Sequence, residues 1–369
     1  MLRVYNEQVH KSYDAIVIGG GIIGLALAWK LSRRLAQVLL IERGEPGREA
    51  SHAGGGMIAD LDPVLPAELG ELAHRSAKLY PQFVAELESE SGCAIDLRDD
   101  GVIAFEEHPI PESDGIRAIS SAEALAMEPR LKIPPDPAYT MCERAVDPRD
   151  VVAALLKALQ GKVEIVSGQS VKRVLTEHGR ACGVETSAGS YGAPVVVNCA
   201  GAWAAQVEGA KLPTAPVKGH MVALAFPEEL AMVPSEREEK RVLRHVLRSR
   251  WCYIIPRSNG RYVVGSTVEP AGFDKTLNAY RVKRLQQAAA RLIPQFAEAK
   301  IAEAWTGLRP GTPDNLPLLG ATEIPGYFAA AGHYRDGILL TPITAELISQ
   351  LVLDGRADPA LERFRPQRF

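Results

Sequence analysis

The stretch Gly19-Gly20-Gly21-Ile22-Ile23-Gly24 decides the predicted fold of this chain, because it connects a buried strand to a helix. Residues 13–18 form a short apolar run, which is typical of a strand buried on both faces. Residues 22–35 have the length and apolar periodicity of a helix, and residues 37–42 have the pattern of a second buried strand. This order predicts a βαβ unit whose first turn carries a GxGxxG motif.

Each part of this motif suits the binding of a dinucleotide. Gly19, Gly21 and Gly24 allow, in turn, a tight turn, close approach of the backbone to a pyrophosphate, and close packing of the helix on the strand. The start of the helix offers N–H groups and the positive end of the helix dipole to the phosphates. Glu42 ends the second strand, where a carboxylate accepts hydrogen bonds from ribose hydroxyls and disfavours a 2′-phosphate. The motif therefore predicts a dinucleotide other than NADP.

The composition excludes several classes of protein. The chain has 369 residues, of which 46% are apolar and 24% charged, and its net charge of −3 without a long basic run argues against nucleic-acid binding. The longest uncharged stretch, residues 15–29, is too short for a membrane span and contains four glycines. Five cysteines without a CxxC spacing argue against a disulfide framework and a metal site. We therefore expect a cytoplasmic protein with no metal, membrane or nucleic-acid partner.

The rest of the chain has two further patterns. Strands and hairpins are predicted in the middle of the chain, at residues 163–166, 171–186, 194–199, 251–256 and 261–268. The dipeptide Asn259-Gly260 between the last two strands is the strongest short hairpin signal in the sequence. A basic amphipathic helix is predicted at residues 277–292. The end of the chain again has a strand, Tyr327–Ala331, then a loop and a helix at residues 338–353.

These patterns predict an α/β plus antiparallel β fold. A discontinuous, Rossmann-like nucleotide-binding domain would comprise residues 1–85, 145–215 and 303–369. A mixed-sheet substrate domain, residues 86–144 and 216–302, would be inserted between its parts.

A second small-residue loop bears on the choice between NAD and FAD. Residues 50–57 carry Ala50-Ser51 and then Gly55-Gly56-Met57, which could let the backbone run along a flat ring system. Taken alone, this loop could equally be a flexible surface loop.

Together with other motifs, this loop makes the chain resemble a known family. The other motifs are the opening glycines, VVVNCAGAW at 195–203, WTGLRPGTPD at 305–314 and AGHYRDGI at 331–338. The chain resembles the D-amino acid oxidase superfamily, which includes the sarcosine oxidases, and within it the glycine oxidases of thiamin biosynthesis. The resemblance runs from about Tyr13 to the C-terminal helix.

The resemblance implies a bound FAD. The residues that it places along the cofactor are Gly19, Gly21, Ile22, Ile23, Gly24, Glu42, Arg43, Ala50, Ser51, Gly55, Gly56, Met57, Val171, His333, Tyr334, Arg335, Asp336, Gly337, Ile338 and Leu339. Related sarcosine oxidases attach the flavin to a cysteine at the position of Gly307, and no cysteine lies near it in this sequence. We therefore expect noncovalent FAD.

The resemblance also implies a site for a small amino acid. Arg309 would hold the substrate carboxylate, with Tyr253 and Arg335 assisting, since a guanidinium provides bidentate, charge-assisted hydrogen bonds. Trp251 and Val268 would limit the size of the substrate.

Neither of two histidines is expected to act as an acid or base. His333 is expected to meet the flavin through its backbone, because hydride transfer to flavin needs positioning rather than a protein base. His220 has the pattern of a strand residue with no visible partner.

The predicted function is oxidative deamination of glycine, or of a similarly small amine such as sarcosine, with oxygen as the acceptor. The products would be glyoxylate, ammonia and hydrogen peroxide, and the family implies a role in thiazole synthesis for thiamin and a homo-oligomer. A related oxidase or dehydrogenase for sarcosine, D-amino acids, proline or 2-hydroxy acids remains an alternative. So do a flavin-bearing subunit of a larger complex and a carrier that has lost the cofactor.

Overall fold

The computed structural model of the protein describes residues 12–232, 235–236 and 240–369. The strands, in chain order, are β1 Ala15–Ile18, β2 Val38–Glu42, β3 Met57–Ile58, β4 Leu97–Arg98, β5 Val102–Phe105, β6 Ile116–Ile119, β7 Ala138–Met141, β8 Arg144–Val146, β9 Val163–Ser167, β10 Val171–Glu177, β11 Arg180–Thr186, β12 Ser190–Gly192, β13 Val196–Asn198, β14 Ala215–Ala225, β15 Val246–Ser249, β16 Tyr253–Pro256, β17 Arg261–Gly265, β18 Lys300–Gly311, β19 Leu318–Ala321 and β20 Tyr327–Ala331. The α-helices are α1 Ile22–Ser32, α2 Ala50–Ala53, α3 Gly70–Ser91, α4 Ser121–Met127, α5 Pro148–Leu159, α6 Pro227–Ala231, α7 Ala279–Leu292 and α8 Thr341–Asp354. Short 3-10 helices span Ala67–Leu69, Gly201–Gln206, Pro294–Ala297, Pro359–Phe364 and Pro366–Arg368.

A six-stranded sheet forms the nucleotide-binding unit. Its order is β19-β20-β13-β1-β2-β9, and all neighbours are parallel except the edge pair of β19 and β20. Every residue of β1 and β2 is buried, as expected for strands covered on both faces. Helix α1 packs against α5 and α8 on one face, and the hairpin of β10 and β11 covers the other.

An eight-stranded sheet forms the second layer of the molecule. Its order is β18-β14-β17-β16-β15-β5-β7-β6, and only the β15–β5 pair is parallel. Helix α7 packs on this sheet through an apolar face that includes Val282, Leu285 and Leu292. Strands β14 and β18 pair along their whole length, from Ala215 opposite Gly311 to Ala225 opposite Lys300.

The predicted elements and the structure agree in type and differ at the ends. The helix expected at residues 338–353 begins at Thr341, because Pro342 fits the first helical turn, where its missing N–H costs nothing. The helix expected to start at residue 277 begins after Asn278, whose side chain accepts hydrogen bonds from two backbone N–H groups. The Asn259-Gly260 turn connects β16 and β17 as predicted.

The strand composition of the two sheets can be compared with the predicted domains. Residues 303–311, assigned above to the nucleotide-binding domain, belong to β18 at the edge of the eight-stranded sheet. The domain boundaries themselves stay a prediction. Among the described residues, no helix is long and apolar enough to cross a membrane.

Candidate active site

A cavity of about 970 Å³ extends from the glycine turn to the face of the eight-stranded sheet. This volume is at the upper end of the range for sites that bind small molecules, roughly 300–1,000 Å³. Its wall includes every predicted cofactor and substrate residue except Gly24 and Val268. Gly24 instead packs α1 against β1, since a Cβ there would lie 2.0 Å from the carbonyl oxygen of Gly19. The fold therefore brings together residues that lie at opposite ends of the chain.

Glu42 is held at the nucleotide end of the cavity by backbone N–H groups. Its Oε2 accepts from the N–H of Gly20 at 2.7 Å, and its Oε1 accepts from that of Gly44 at 2.8 Å. Each oxygen retains a second lone-pair direction, so the fixed carboxylate can also accept hydrogen bonds from ribose hydroxyls. This geometry agrees with the role predicted for Glu42.

The start of α1 is tied to the second small-residue loop. The Ser51 hydroxyl accepts a hydrogen bond from the N–H of Ile22 at 2.9 Å. The hydroxyl hydrogen can in turn donate to a phosphate oxygen at the positive end of the helix dipole. Ser51 thereby connects the predicted pyrophosphate site to the loop that lines the middle of the cavity.

Arg43 and Trp203 form a stacked pair at the same end of the cavity. The guanidinium carbon of Arg43 lies 3.6 Å from the centre of the Trp203 ring, within the range of a cation–π contact. Both residues line the cavity, as do Gln169 and Val171. Trp203 comes from the VVVNCAGAW motif, and the sequence analysis did not give it a role of its own.

Helix α3 holds the loop that contains Ile338 and Leu339, two residues of the cavity wall. The Ser76 hydroxyl donates to the carbonyl of Leu339 at 2.6 Å, and the Tyr80 hydroxyl donates to that of Ile338 at 2.8 Å. Both side chains are buried. The sequence analysis missed this support, although two polar side chains four residues apart on the apolar face of a helix were a signal for it.

Arg309 reaches the cavity from β18. Its Nη2 donates to the hydroxyl of Ser266 at 2.7 Å, and its Nη1 donates to the carbonyls of Thr267 at 3.1 Å and Lys218 at 3.4 Å. Burial lowers its pKa, yet a guanidinium stays protonated at any physiological pH. Within the described part of the chain, no carboxylate lies within ion-pair distance of this guanidinium. A half-buried cation that faces a cavity without an acidic partner favours an anionic ligand.

Tyr253 forms the wall next to Arg309. Its hydroxyl lies 3.3 Å from the sulfur of Met221, and its ring packs against the backbone of Gly55 and Gly265. A Cβ at Gly265 would lie 2.4 Å from the Tyr253 ring. Two glycines on different elements therefore make the space that this ring occupies.

The third predicted substrate residue is more exposed. Arg335 lies with its guanidinium 5.5 Å from the centre of the Tyr334 ring. Burial, and then the negative charge of Asp62, raise the pKa of the neighbouring Asp336 to about 7.

Val268 does not fit the role expected of it, which was to limit the size of the substrate. Its side chain is 47% exposed and outside the cavity wall, because the chain leaves β17 at Gly265. Trp251, in contrast, lines the cavity.

The two histidines differ from each other. His333 is buried, its Nε2 lies 3.1 Å from the Thr344 hydroxyl, and burial lowers its pKa to about 3. Such a low pKa makes the imidazole too weak a base to take up a proton effectively near pH 7. His220 lies on β14, as expected, and it has partners on both ring nitrogens that the sequence did not indicate: Glu269 at 2.9 Å and the N–H of Asn278 at 3.0 Å.

Among the charged residues of the cavity wall that the sequence analysis did not identify is Arg248. Arg248 is buried, and its Nη1 lies 3.2 Å from Glu143 and 3.3 Å from Asp62. Burial raises the pKa of Glu143 to about 7, although Arg248 lowers it. The partners lie far apart in sequence, so no local pattern indicated this cluster.

The sequence matches a family along nearly its whole length. The family "DAO: FAD dependent oxidoreductase" matches residues 14–351. This chain belongs to the FAD dependent oxidoreductase family. The prediction of FAD rather than NAD is thereby confirmed, and so is the resemblance to the D-amino acid oxidases. The Glu42 carboxylate, the Ser51 hydroxyl and the Arg43–Trp203 pair are groups that fit the nucleotide half of this cofactor.

Individual members of the FAD dependent oxidoreductase family are similar to this chain. The glycine oxidase of Geobacillus kaustophilus is 32% identical over 92% of this chain and 93% of its own length. The bifunctional protein ThiO/ThiG of a Nostoc species is 34% identical, and this chain spans only 55% of it, about half the length of that relative. The crystal structure of glycine oxidase from Geobacillus kaustophilus superposes with a TM-score of 0.87 at 32% identity, covering 98% of this chain and 99% of that one. This superposition confirms the predicted fold class.

Proposed function

We propose that this chain oxidises glycine, or a similarly small primary or secondary amine, with molecular oxygen. The observation that carries the proposal is Arg309, a half-buried cation that faces the cavity and lacks an acidic partner among the described residues. An amino-acid carboxylate supplies the missing charge with bidentate geometry. Similarity to glycine oxidases supports a small substrate.

The chain's own residues would bind and orient the substrate. Arg309 holds the carboxylate, and the Tyr253 ring excludes water from one side and fixes the direction in which the α-carbon points. Arg335 adds positive charge at the cavity mouth. FAD, when bound, supplies a hydride acceptor that oxygen reoxidises to give hydrogen peroxide. Glycine, oxygen and water would thus give glyoxylate, ammonia and hydrogen peroxide. No protein base is assigned, in agreement with the neutral, buried His333.

The test is a panel of glycine, sarcosine, D-alanine, proline and glycolate given to the purified flavoprotein. Anaerobic bleaching of the flavin identifies the reductant, and peroxide formation in air separates an oxidase from a dehydrogenase. We expect glycine or sarcosine to give the highest kcat/KM, with peroxide. Bleaching by proline or glycolate alone would favour the alternative reactions, and no bleaching by any small amine would favour a subunit of a larger complex.

Variants of Arg309 connect the reaction to the site. Arg309→Lys keeps the charge but loses the planar fork, and Arg309→Ala loses both. We expect the KM for glycine to rise in the order wild type, Lys, Ala, with Ala at least tenfold above wild type, since a hydrogen bond to a charged group contributes roughly 1.5–3 kcal/mol. An unchanged KM in Arg309→Ala would remove this residue from the carboxylate site.

Three further expectations remain part of the proposal. All five cysteines are unpaired, which supports a reducing compartment such as the cytoplasm. A role in thiamin biosynthesis is supported by the similarity to ThiO/ThiG. A homo-oligomer is tested by light scattering of the holoenzyme.

A further inference from the structure

The guanidinium of Arg309 is supported from behind by a polar cluster that lies outside the cavity wall. His220, Thr267 and Glu269 form this cluster, and none of them lines the cavity. Arg309 and Ser266, which contact the cluster, do line it. The cluster therefore does not line the cavity itself, and it meets the cavity wall through Arg309 and Ser266.

Each hydrogen bond of this cluster has a defined direction. The Thr267 hydroxyl donates to Glu269 at 2.6 Å and accepts from the backbone N–H of His220 at 2.9 Å. The Nε2 of His220 accepts from the N–H of Asn278, so its Nδ1 carries the proton and donates to Glu269 at 2.9 Å. Hydrogen bonding by Thr267 lowers the pKa of Glu269, which keeps this acceptor ionised. The cluster is thus a chain of satisfied hydrogen bonds around one side chain, Thr267.

Thr267 is also the residue whose carbonyl meets the guanidinium. That carbonyl accepts a hydrogen bond from Nη1 of Arg309 at 3.1 Å. The hydroxyl of the preceding residue, Ser266, accepts a hydrogen bond from Nη2 of Arg309 at 2.7 Å. The regular ladder of β17 ends at Gly265, and beyond it the Thr267 backbone makes a longer hydrogen bond to β14, from its N–H to the His220 carbonyl at 3.4 Å. The shorter side-chain hydrogen bonds of Thr267 therefore add to the contacts that hold the backbone behind Arg309.

The backbone of the neighbouring strand strengthens the same link. Lys218 and Glu269 exchange two N–H to carbonyl hydrogen bonds, both of 2.9 Å, and the Lys218 carbonyl also accepts from Arg309. The Lys218 ammonium group is buried and donates to the carbonyl of Thr276. The two carbonyls that accept from Arg309, those of Lys218 and Thr267, thus lie on two segments that the backbone hydrogen bonds of Glu269 hold together.

We propose that Thr267, Glu269 and His220 are positioning residues that orient Arg309 for binding of the substrate carboxylate. This inference rests on the proposed role of Arg309 in holding that carboxylate. Enzyme sites need such support, because a guanidinium displaced by about 1 Å loses bidentate geometry and much of its effect.

The test uses two variants of Thr267 in the FAD-loaded enzyme. Thr267→Val removes the hydroxyl and keeps the shape, and Thr267→Ser keeps the hydroxyl as the matched control. We expect Thr267→Val to raise the KM for glycine, and the Kd for glycolate read from the flavin spectrum, about 5- to 10-fold. The kcat at saturating glycine should change less than twofold, and Thr267→Ser should stay within twofold of wild type in all three quantities.

A double-variant cycle distinguishes the failure of this inference from that of the proposed function. In the Arg309→Lys background, Thr267→Val should cause little further change, because two residues that act through one contact are not additive. If Arg309→Lys raises KM and Thr267→Val leaves it unchanged, the positioning role is wrong and the carboxylate site stands. If neither variant changes KM, Arg309 does not hold the carboxylate, and the proposed function is contradicted together with this inference. Glu269→Gln, with an expected rise of about threefold, replaces Thr267→Val if that variant does not fold.

Discussion

Replacing Gly219 by alanine should displace Arg309, whose guanidinium atoms are the nearest to an added Cβ. Gly219 lies on β14, opposite Gly307 of β18, and the Arg309 guanidinium lies across its backbone. A Cβ added at Gly219 would be 2.4 Å from Nη1, 2.5 Å from Nη2 and 2.7 Å from the guanidinium carbon. These distances are too short for any contact between heavy atoms, so the end of this flexible side chain must move.

The size of the effect follows from what the movement breaks. Arg309 would lose its hydrogen bonds to Ser266 and Thr267 and its alignment with a bound carboxylate. A hydrogen bond to a charged group contributes roughly 1.5–3 kcal/mol, and 1.4 kcal/mol corresponds to a factor of ten. The KM for glycine and the Kd for glycolate should therefore both rise about 10- to 150-fold. The kcat at saturation should fall less, because the reacting carbon is still beside the cofactor.

The assay is steady-state peroxide production with glycine, together with titration of the flavin spectrum by glycolate. Gly70→Ala is the matched control, since Gly70 starts α3 with no heavy atom within 4 Å of an added Cβ. Its KM should equal that of wild type. A Gly219→Ala enzyme that binds FAD and keeps a glycine KM within twofold of wild type would refute the placement of Arg309 at the carboxylate site.

Three further predictions concern the cofactor and the pH dependence of binding. Glu42→Gln should weaken FAD binding about 10- to 100-fold, measured from the fluorescence of released flavin, because the negative charge fixed by two N–H groups is lost. Acid precipitation should release all flavin into the supernatant, because the flavin is bound noncovalently. Burial raises the pKa of both cysteines that line the cavity, Cys199 and Cys252, and so disfavours the thiolate that a covalent link would need. Colour left in the pellet would contradict this prediction. In wild type the Kd for glycolate should rise several-fold from pH 6 to pH 8, because Asp336 is neutral below its pKa of about 7 and negatively charged above it. Asp336→Asn should remove that dependence.

The sequence predicted the nucleotide-binding unit well because its signals are local. A buried strand, a glycine turn, a helix and an acidic residue lie within about thirty residues, and each has a defined physical role there. The long helix α3, Gly70–Ser91, was missed even though its buried positions follow a helical period. Its buried apolar residues are separated by many charged residues, so the helix contains no continuous apolar run. The helix was missed because apolar runs were sought there instead of a helical period.

The polar clusters were beyond sequence reasoning for a different reason. Arg248 meets Asp62 and Glu143, which lie on other elements, and only the pairing of strands brings them together. His220 and Glu269 are 49 residues apart and meet because the segment after β17 continues beside β14. A lone histidine or glutamate in a strand pattern carries no information about such a partner.

Arg309 shows where these two kinds of information meet. A motif places an arginine on β18, but its orientation depends on a glycine opposite it and on a carbonyl from a third segment. The register between β14 and β18 puts Gly219 under the guanidinium, and the end of β17 puts Thr267 behind it. A small substrate offers few contacts, so the orientation of its main charged partner decides how firmly it is held. Specificity for a small amino acid should therefore depend on the residues that orient Arg309, and substitutions at Gly219 and Thr267 should change KM more than substitutions at the exposed Arg335.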